Sequence, residues 1–194
     1  IERDATFPIL SANIHGSAYV QRDRDYHAAA VLEAKGLRIG VIGLTTSVDT
    51  RVGTEADPGL AVESPLTALE NLVPAVSAVS DIVIILSHCG YGAGAHQSGR
   101  AAFARRIDDG DFVLAEAAGL LSDKPVVLVG GHTHTALNET GINPDNILNG
   151  VLITQANANG RHLGNIAMSV AAENGRRGWF TSVSLHATKR RDDR

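Results

Sequence analysis

Three histidines stand where apolar segments end. His88 closes "DIVIILSH" (81 to 88), while His132 and His134 follow "PVVLVGG" (125 to 131) as H-T-H. Neutral imidazole is a strong ligand for Zn, Mn, Fe and Ni. A side chain leaving the carboxyl end of a buried parallel strand points into the crevice where α/β folds place ligands. Two strand ends that offer three imidazoles to one crevice therefore form a metal-ligand pattern. In extended chain, residues i and i+2 point to the same side, about 6 to 7 Å apart. That reach suits two ligands gripping neighbouring ions roughly 3.5 to 4 Å apart, so H-x-H is read as one metal per histidine. Gly130 and Gly131 are expected to let the backbone turn sharply and to leave room for ions and substrate. The bland alternative is a strand-capping histidine held by a backbone hydrogen bond.

The chain has eight histidines, and the others read differently. His15, His27 and His186 stand alone among polar neighbours and are expected at the surface or in satisfied structural roles. The structural reading is also favoured for His96, in the Gly-rich stretch 91 to 109, and for His162 in "NGRHLG". That long connection follows a strand ending in histidine, where functional loops of α/β folds sit. A single cysteine, Cys89, allows neither an intramolecular disulfide nor a cysteine zinc cage. Neighbouring strand residues face opposite sides, so beside His88 it is expected to pack as a small apolar group.

The elements that must position these residues are short. "FPILSANI" (7 to 14), "LRIGVIGLT" (37 to 45), 81 to 88, 125 to 132 and "GVLITQA" (150 to 156) read as strands buried on both faces. Residues 64 to 80 read as a helix capped by Ser64 with Pro65 at its first position, kinked or shortened at Pro74. Residues 110 to 123 read as a second helix with Asp111 as cap. This alternation gives an α/β layered architecture. Alternating stretches around "ENGRRG" then read as a β-hairpin closing the domain, with a solvated charged end.

At 194 residues, 44% hydrophobic and 20% charged, the chain has the composition of one globular domain. A net charge of -4 offers no basic field for duplex nucleic acid or anionic membrane. No apolar run approaches the roughly 20 residues of a membrane span. A chain that starts at Ile1 without Met or a signal-like segment is expected to be part of something longer.

"ILSHCG" (85 to 90), "GGHTHT" (130 to 135) and "TQANANGRHLGNI" (154 to 166), in that order, resemble the metallophosphoesterase (calcineurin-like) domain of the 5'-nucleotidase family, over its C-terminal part only. The resemblance implies the second half of a four-layer αββα sandwich, spanning 1 to 194. It implies two divalent metal ions (Zn, Mn, Fe or similar), with His88 and His132 on one and His134 on the other, and hydrolysis of a phosphoester, commonly a nucleotide. Gln155 and Arg161 fall in matching segments, where holding the strand and turn beside the site is the expected role. The family places its D-x-H, G-D and G-N-H-[DE] motifs, which supply the bridging aspartate and further ligands, upstream of the part resembled here, and the nucleoside-binding domain of many relatives after it. Three histidines without a bridging carboxylate do not hold two divalent ions against their mutual repulsion, so the chain is expected to be inactive alone and to need the N-terminal half of its domain as partner. The same resemblance implies a periplasmic or extracellular location. Two other readings stay open: a cyclic-nucleotide phosphodiesterase or sulfur-ester hydrolase of the same fold, and a non-catalytic metal-binding or scaffolding module.

Overall fold

Runs of Val, Ile and Leu make stable strands only when both faces are covered. The computed structural model, which describes residues 5–47, 56–91, 110–171 and 177–188, shows what covers each. In chain order the elements are β1 (Ile14–His15), β2 (Ala29–Ala34), β3 (Leu37–Thr45), β4 (Ala61–Val62), helix α1 (Pro65–Val79), β5 (Ile82–His88), helix α2 (Asp111–Leu121) and β6 (Val126–Val129). A 3-10 turn at Pro144–Asn146 leads to β7 (Ile147–Leu148), β8 (Val151–Thr154), β9 (His162–Ala171) and β10 (Arg177–Ala187).

Six strands form one mixed sheet in the order β2-β3-β5-β6-β8-β7. The central β3, β5, β6 and β8 are parallel, and the edge strands β2 and β7 are antiparallel to their neighbours. Alternate residues then take opposite sides. Ile42, Val83, Ile85, Val126, Leu128, Val151 and Ile153 pack with Leu69 and Val73 of α1 and Leu114 and Ala118 of α2. Ile84, Val127, Val129 and Leu152 lie on the other face against Ile166 and Val183 of the antiparallel β9-β10 hairpin. Helices, sheet and second sheet make three successive layers, the α/β half-sandwich the sequence implies. The approach of α1 is close because β3 carries Gly40: a Cβ there would stand 2.3 Å from the Val76 side chain.

Several expectations change. Residues 7 to 14 do not form a buried strand. Phe7 is exposed, and only Ile14–His15 pairs regularly, with β4, while Ala12 N–H donates to Gly43 O at 2.7 Å. Strand β2 was unforeseen: Lys35 and Gly36, both at positive φ (52° and 74°), supply the tight hairpin turn that folds it onto β3. Helix α1 is capped by Ser64 as expected, yet it runs unbroken through Pro74. That proline is exposed, so the Glu70 carbonyl it deprives of a donor can turn to water. Helix α2 is capped by Gly110, not Asp111, which is its first residue and is buried. Residues 92–109, with His96, residues 172–176, which include most of the expected turn "ENGRRG", and the expected charged end from 189 lie outside the described residues. Among the described residues no helix is long and apolar enough to cross a membrane.

Leu69 is fully buried between α1 and the sheet. Leu69→Ala should cost about 2 to 5 kcal/mol. In urea unfolding this reads as a lower midpoint with an unchanged slope.

Candidate metal centre

Strands β5 and β6 run parallel and pair as far as Leu86 with Val129, so their carboxyl ends open at the same edge of the sheet. His88 ends the first, and Gly131 lies beside it: a Cβ on Gly131 would stand 2.8 Å from His88 Nδ1. The His88 and His132 rings meet edge to face, with centroids 5.3 Å apart and planes at 68°. Burial, followed by repulsion from His132 and then His134, holds the His88 imidazole below its ordinary 6.5. All three predicted histidines are thus within electrostatic reach of one another, and His88 is biased towards the neutral form that carries a free lone pair. Among the described residues no three His, Cys, Asp or Glu side chains converge into a cage for one ion.

The backbone geometry differs from the extended H-x-H of the sequence reading. Strand β6 stops at Val129, and both His132 (φ 71°) and His134 (φ 56°) are left-handed. Histidine is among the few non-glycine residues enriched there, at a cost of about 1 to 3 kcal/mol. The turn is therefore made by the histidines, whereas Gly130 and Gly131 have no positive φ. The glycines serve close approach. A Cβ on Gly130 would stand 2.2 Å from Asp111 Oδ2, as the one on Gly131 would crowd His88.

What holds the strained loop is Gln155, buried just past the end of β8. Its Nε2 donates to Gly131 O at 2.7 Å, while its Oε1 accepts from Thr135 N–H and from Thr133 Oγ1 at 3.4 Å. One amide thus contacts the loop before, between and after the two histidines. Thr133 Oγ1 also accepts from Tyr91 N–H at 3.0 Å. Tyr91 OH donates to Asn146 Oδ1 at 2.5 Å, Asn146 Nδ2 donates to Asn138 Oδ1, and Asn138 Nδ2 donates to Ile153 O. A polar relay runs behind the site on the helix side of the sheet.

Gln155 has the holding role the sequence suggested. Arg161 does not share it through its side chain, which is exposed; its backbone N–H donates to Ala158 O and its carbonyl accepts from Thr188. Cys89 is buried in the helix-side core, as expected. His15 and His186 are exposed, and His27 lies 3.5 Å from Asp23. His162 Nδ1 is sealed from water without a hydrogen-bond partner, at the start of β9 and outside the histidine group. Sequence reasoning missed Asp111, because an acidic residue after glycine at a helix start looks like an ordinary cap.

Protein UshA of Yersinia enterocolitica is 32% identical over 172 residues, 84% of this chain and 30% of its own length. A 5'-nucleotidase of Vibrio cholerae is 31% identical over 170 residues, 82% of this chain and again 30% of its own. The chain is related to a segment of the 5'-nucleotidases. It spans about 30% of the length of these curated relatives. A 5'-nucleotidase precursor from Thermus thermophilus superposes with a TM-score of 0.63 at 24% identity, covering 95% of this chain and 35% of that one. A Staphylococcus aureus structure described as a 5'-nucleotidase gives 0.69 at 18%, covering 96% and 34%. At these identities the superpositions establish the fold. No family model matches the chain.

Two outcomes follow. In metal-free protein the His88 imidazole should titrate below 6.5 by NMR, and His132→Ala combined with His134→Ala should move its midpoint up by removing two repulsions. Its folded pKa lies under the unfolded one, so acidification below about 6.5 protonates the unfolded chain first and lowers stability; a His88 midpoint above 6.5 would contradict the geometry. Gln155→Ala leaves buried donors and acceptors of the loop unpaired, at about 1 to 3 kcal/mol per group, and should broaden the His132 and His134 backbone signals while sparing those of β3.

Proposed function

We propose that this chain forms the second part of one metallophosphoesterase domain and supplies histidine ligands to a dinuclear centre that hydrolyses nucleotide phosphoesters. The observation that carries the reading is the meeting of His88 and His132 at neighbouring parallel strand ends, rings 5.3 Å apart, with His134 within electrostatic reach. Relatives named as 5'-nucleotidases and, at 29% identity, an apyrase of Tabanus yao support nucleotide as the substrate class.

The donor set fits divalent transition ions. Imidazole suits Zn, Mn and Fe, and the lowered His88 pKa keeps a lone pair available. His88 and His132 serve one ion and His134 the other, the remaining ligands and the bridging carboxylate coming from the N-terminal half of the domain. When bound, such ions supply Lewis acidity to the phosphoryl group and to water, and neutralise charge in an in-line displacement. The chain's own residues do the placing: Gly131 admits the His88 ring, the left-handed bends at 132 and 134 aim two imidazoles from one loop, and Gln155 fixes the bends. This chain alone is inactive on this reading, and the whole protein acts in the periplasm or outside the cell.

Alanine substitution of each histidine in the full-length protein, with metal content and phosphatase activity measured together, tests this. His132→Ala should lose bound metal and more than about a hundredfold of activity, exceeding the ten- to hundredfold typical of an outer-shell change. Full metal content and activity in that variant would overturn the assignment. Chelation of the wild type should abolish hydrolysis, and Zn or Mn should restore it.

A further inference from the structure

Behind the histidines, on the helix side of the sheet, lies a carboxyl that ligand binding does not use. Asp111 is fully buried. Its Oδ1 accepts from Ser87 Oγ at 2.5 Å, and that hydroxyl in turn accepts from Cys89 N–H at 3.1 Å. Its backbone N–H donates to Gly90 O at 2.8 Å. The residue therefore grips the chain immediately before His88 and again just after it. Its other oxygen, Oδ2, is sealed from water and has no hydrogen-bond partner. That oxygen lies against Gly130, where a Cβ would stand 2.2 Å away, at the root of the loop carrying His132 and His134. Burial holds the Asp111 carboxyl up at about 7, although the Ser87 hydrogen bond and then the charge of the nearby His132 draw it down.

A carboxyl in this position is costly. Burying one with half its acceptor capacity unmet is unfavourable, and the first turn of α2, whose dipole favours negative charge, offsets only part of that. An apolar residue would serve packing better. What an apolar residue would not do is accept from Ser87 on one histidine segment while lying against Gly130 of the other.

We propose that Asp111 is a positioning residue, a single buried side chain that ties the His88 segment to the His132 segment and so sets the separation of the two imidazoles. The purpose of that separation rests on the metal reading, whereas the tie itself does not. Asp111 and Gly130 act as a matched pair: the glycine is absent of side chain because the carboxyl fills its space.

The experiment uses the full-length protein and its Asp111→Ala, Asp111→Asn and Gly130→Ala variants, with Zn2+ and Mn2+ added separately. Affinity per folded molecule is read beside histidine imidazole NMR signals of the metal-free protein. Asp111→Ala should weaken metal binding about ten- to a hundredfold, the range for outer-shell partners, and should shift the His88 and His132 signals while leaving His15 and His186 in place. Asp111→Asn keeps an acceptor for Ser87 and the backbone bond to Gly90, and should recover most of the affinity. Gly130→Ala pushes the same tie from the other side, and the double Asp111→Ala, Gly130→Ala protein should be no worse than the poorer single variant, as coupled neighbours require. Should Asp111→Ala fail to fold, Gly130→Ala carries the same readouts. Unmoved His88 and His132 signals with unchanged affinity, or additive losses in the double variant, would overturn the proposal. A wild type that binds neither ion would refute the metal reading instead, and the imidazole signals would then decide the tie by themselves.

Discussion

The site depends on one amide. Gln155 offers a donor and an acceptor from a single buried plane, and the loop from Gly131 to Thr135 uses both. The left-handed residues His132 and His134 store strain that an isolated loop would release by unwinding. A charged side chain in place of Gln155 would carry a desolvation cost, and a shorter one would not span the loop. Because Gln155 lies just past β8, the stability of the sheet is transmitted directly to the two imidazoles.

The sheet itself separates two kinds of environment. On the helix side, an apolar core of Val, Ile and Leu gives way at the carboxyl ends of the strands to two hydrogen-bonded groups, Ser87 with Asp111, and Tyr91 with Thr133 and Gln155. Buried polar networks of this sort are costly when incomplete and fix a unique arrangement when satisfied. On the opposite side, His88 reaches solvent beyond Leu86. Rigidity is thus concentrated behind the imidazoles and openness in front of them, the division a site needs if it is to hold ligands still while admitting another molecule.

Much of this was legible in the sequence. The parallel strands carry continuous β-branched runs, and β3 spans the nine residues, 37 to 45, that the pattern marks. Ser64 and Pro65 announce the start of α1. The histidine group was legible because strand ends are where α/β folds gather chemistry. The misreadings have physical causes. H-T-H looked extended because periodicity carries no information about φ beyond the end of a strand, and Gly130 and Gly131 looked like hinges because glycine's freedom and glycine's smallness leave the same letter. Asp111 was hidden since only the fold brings residue 111 beside residues 87 and 130. Residues 7 to 14 have the composition of a strand, but their backbone bonds go to Gly43 and to β4 in pieces.

The positive φ values at 132 and 134 have a consequence for how this loop tolerates change. Valine, isoleucine and threonine are excluded there by their branched Cβ, irrespective of any ligand, whereas asparagine, aspartate and glycine fit the same backbone. The main chain thereby acts as a first filter on residue type, and chemistry as a second. A relative carrying asparagine at either position would keep the contour of the loop while exchanging an imidazole nitrogen for an amide oxygen, changing the donor atom it presents without redesigning the turn.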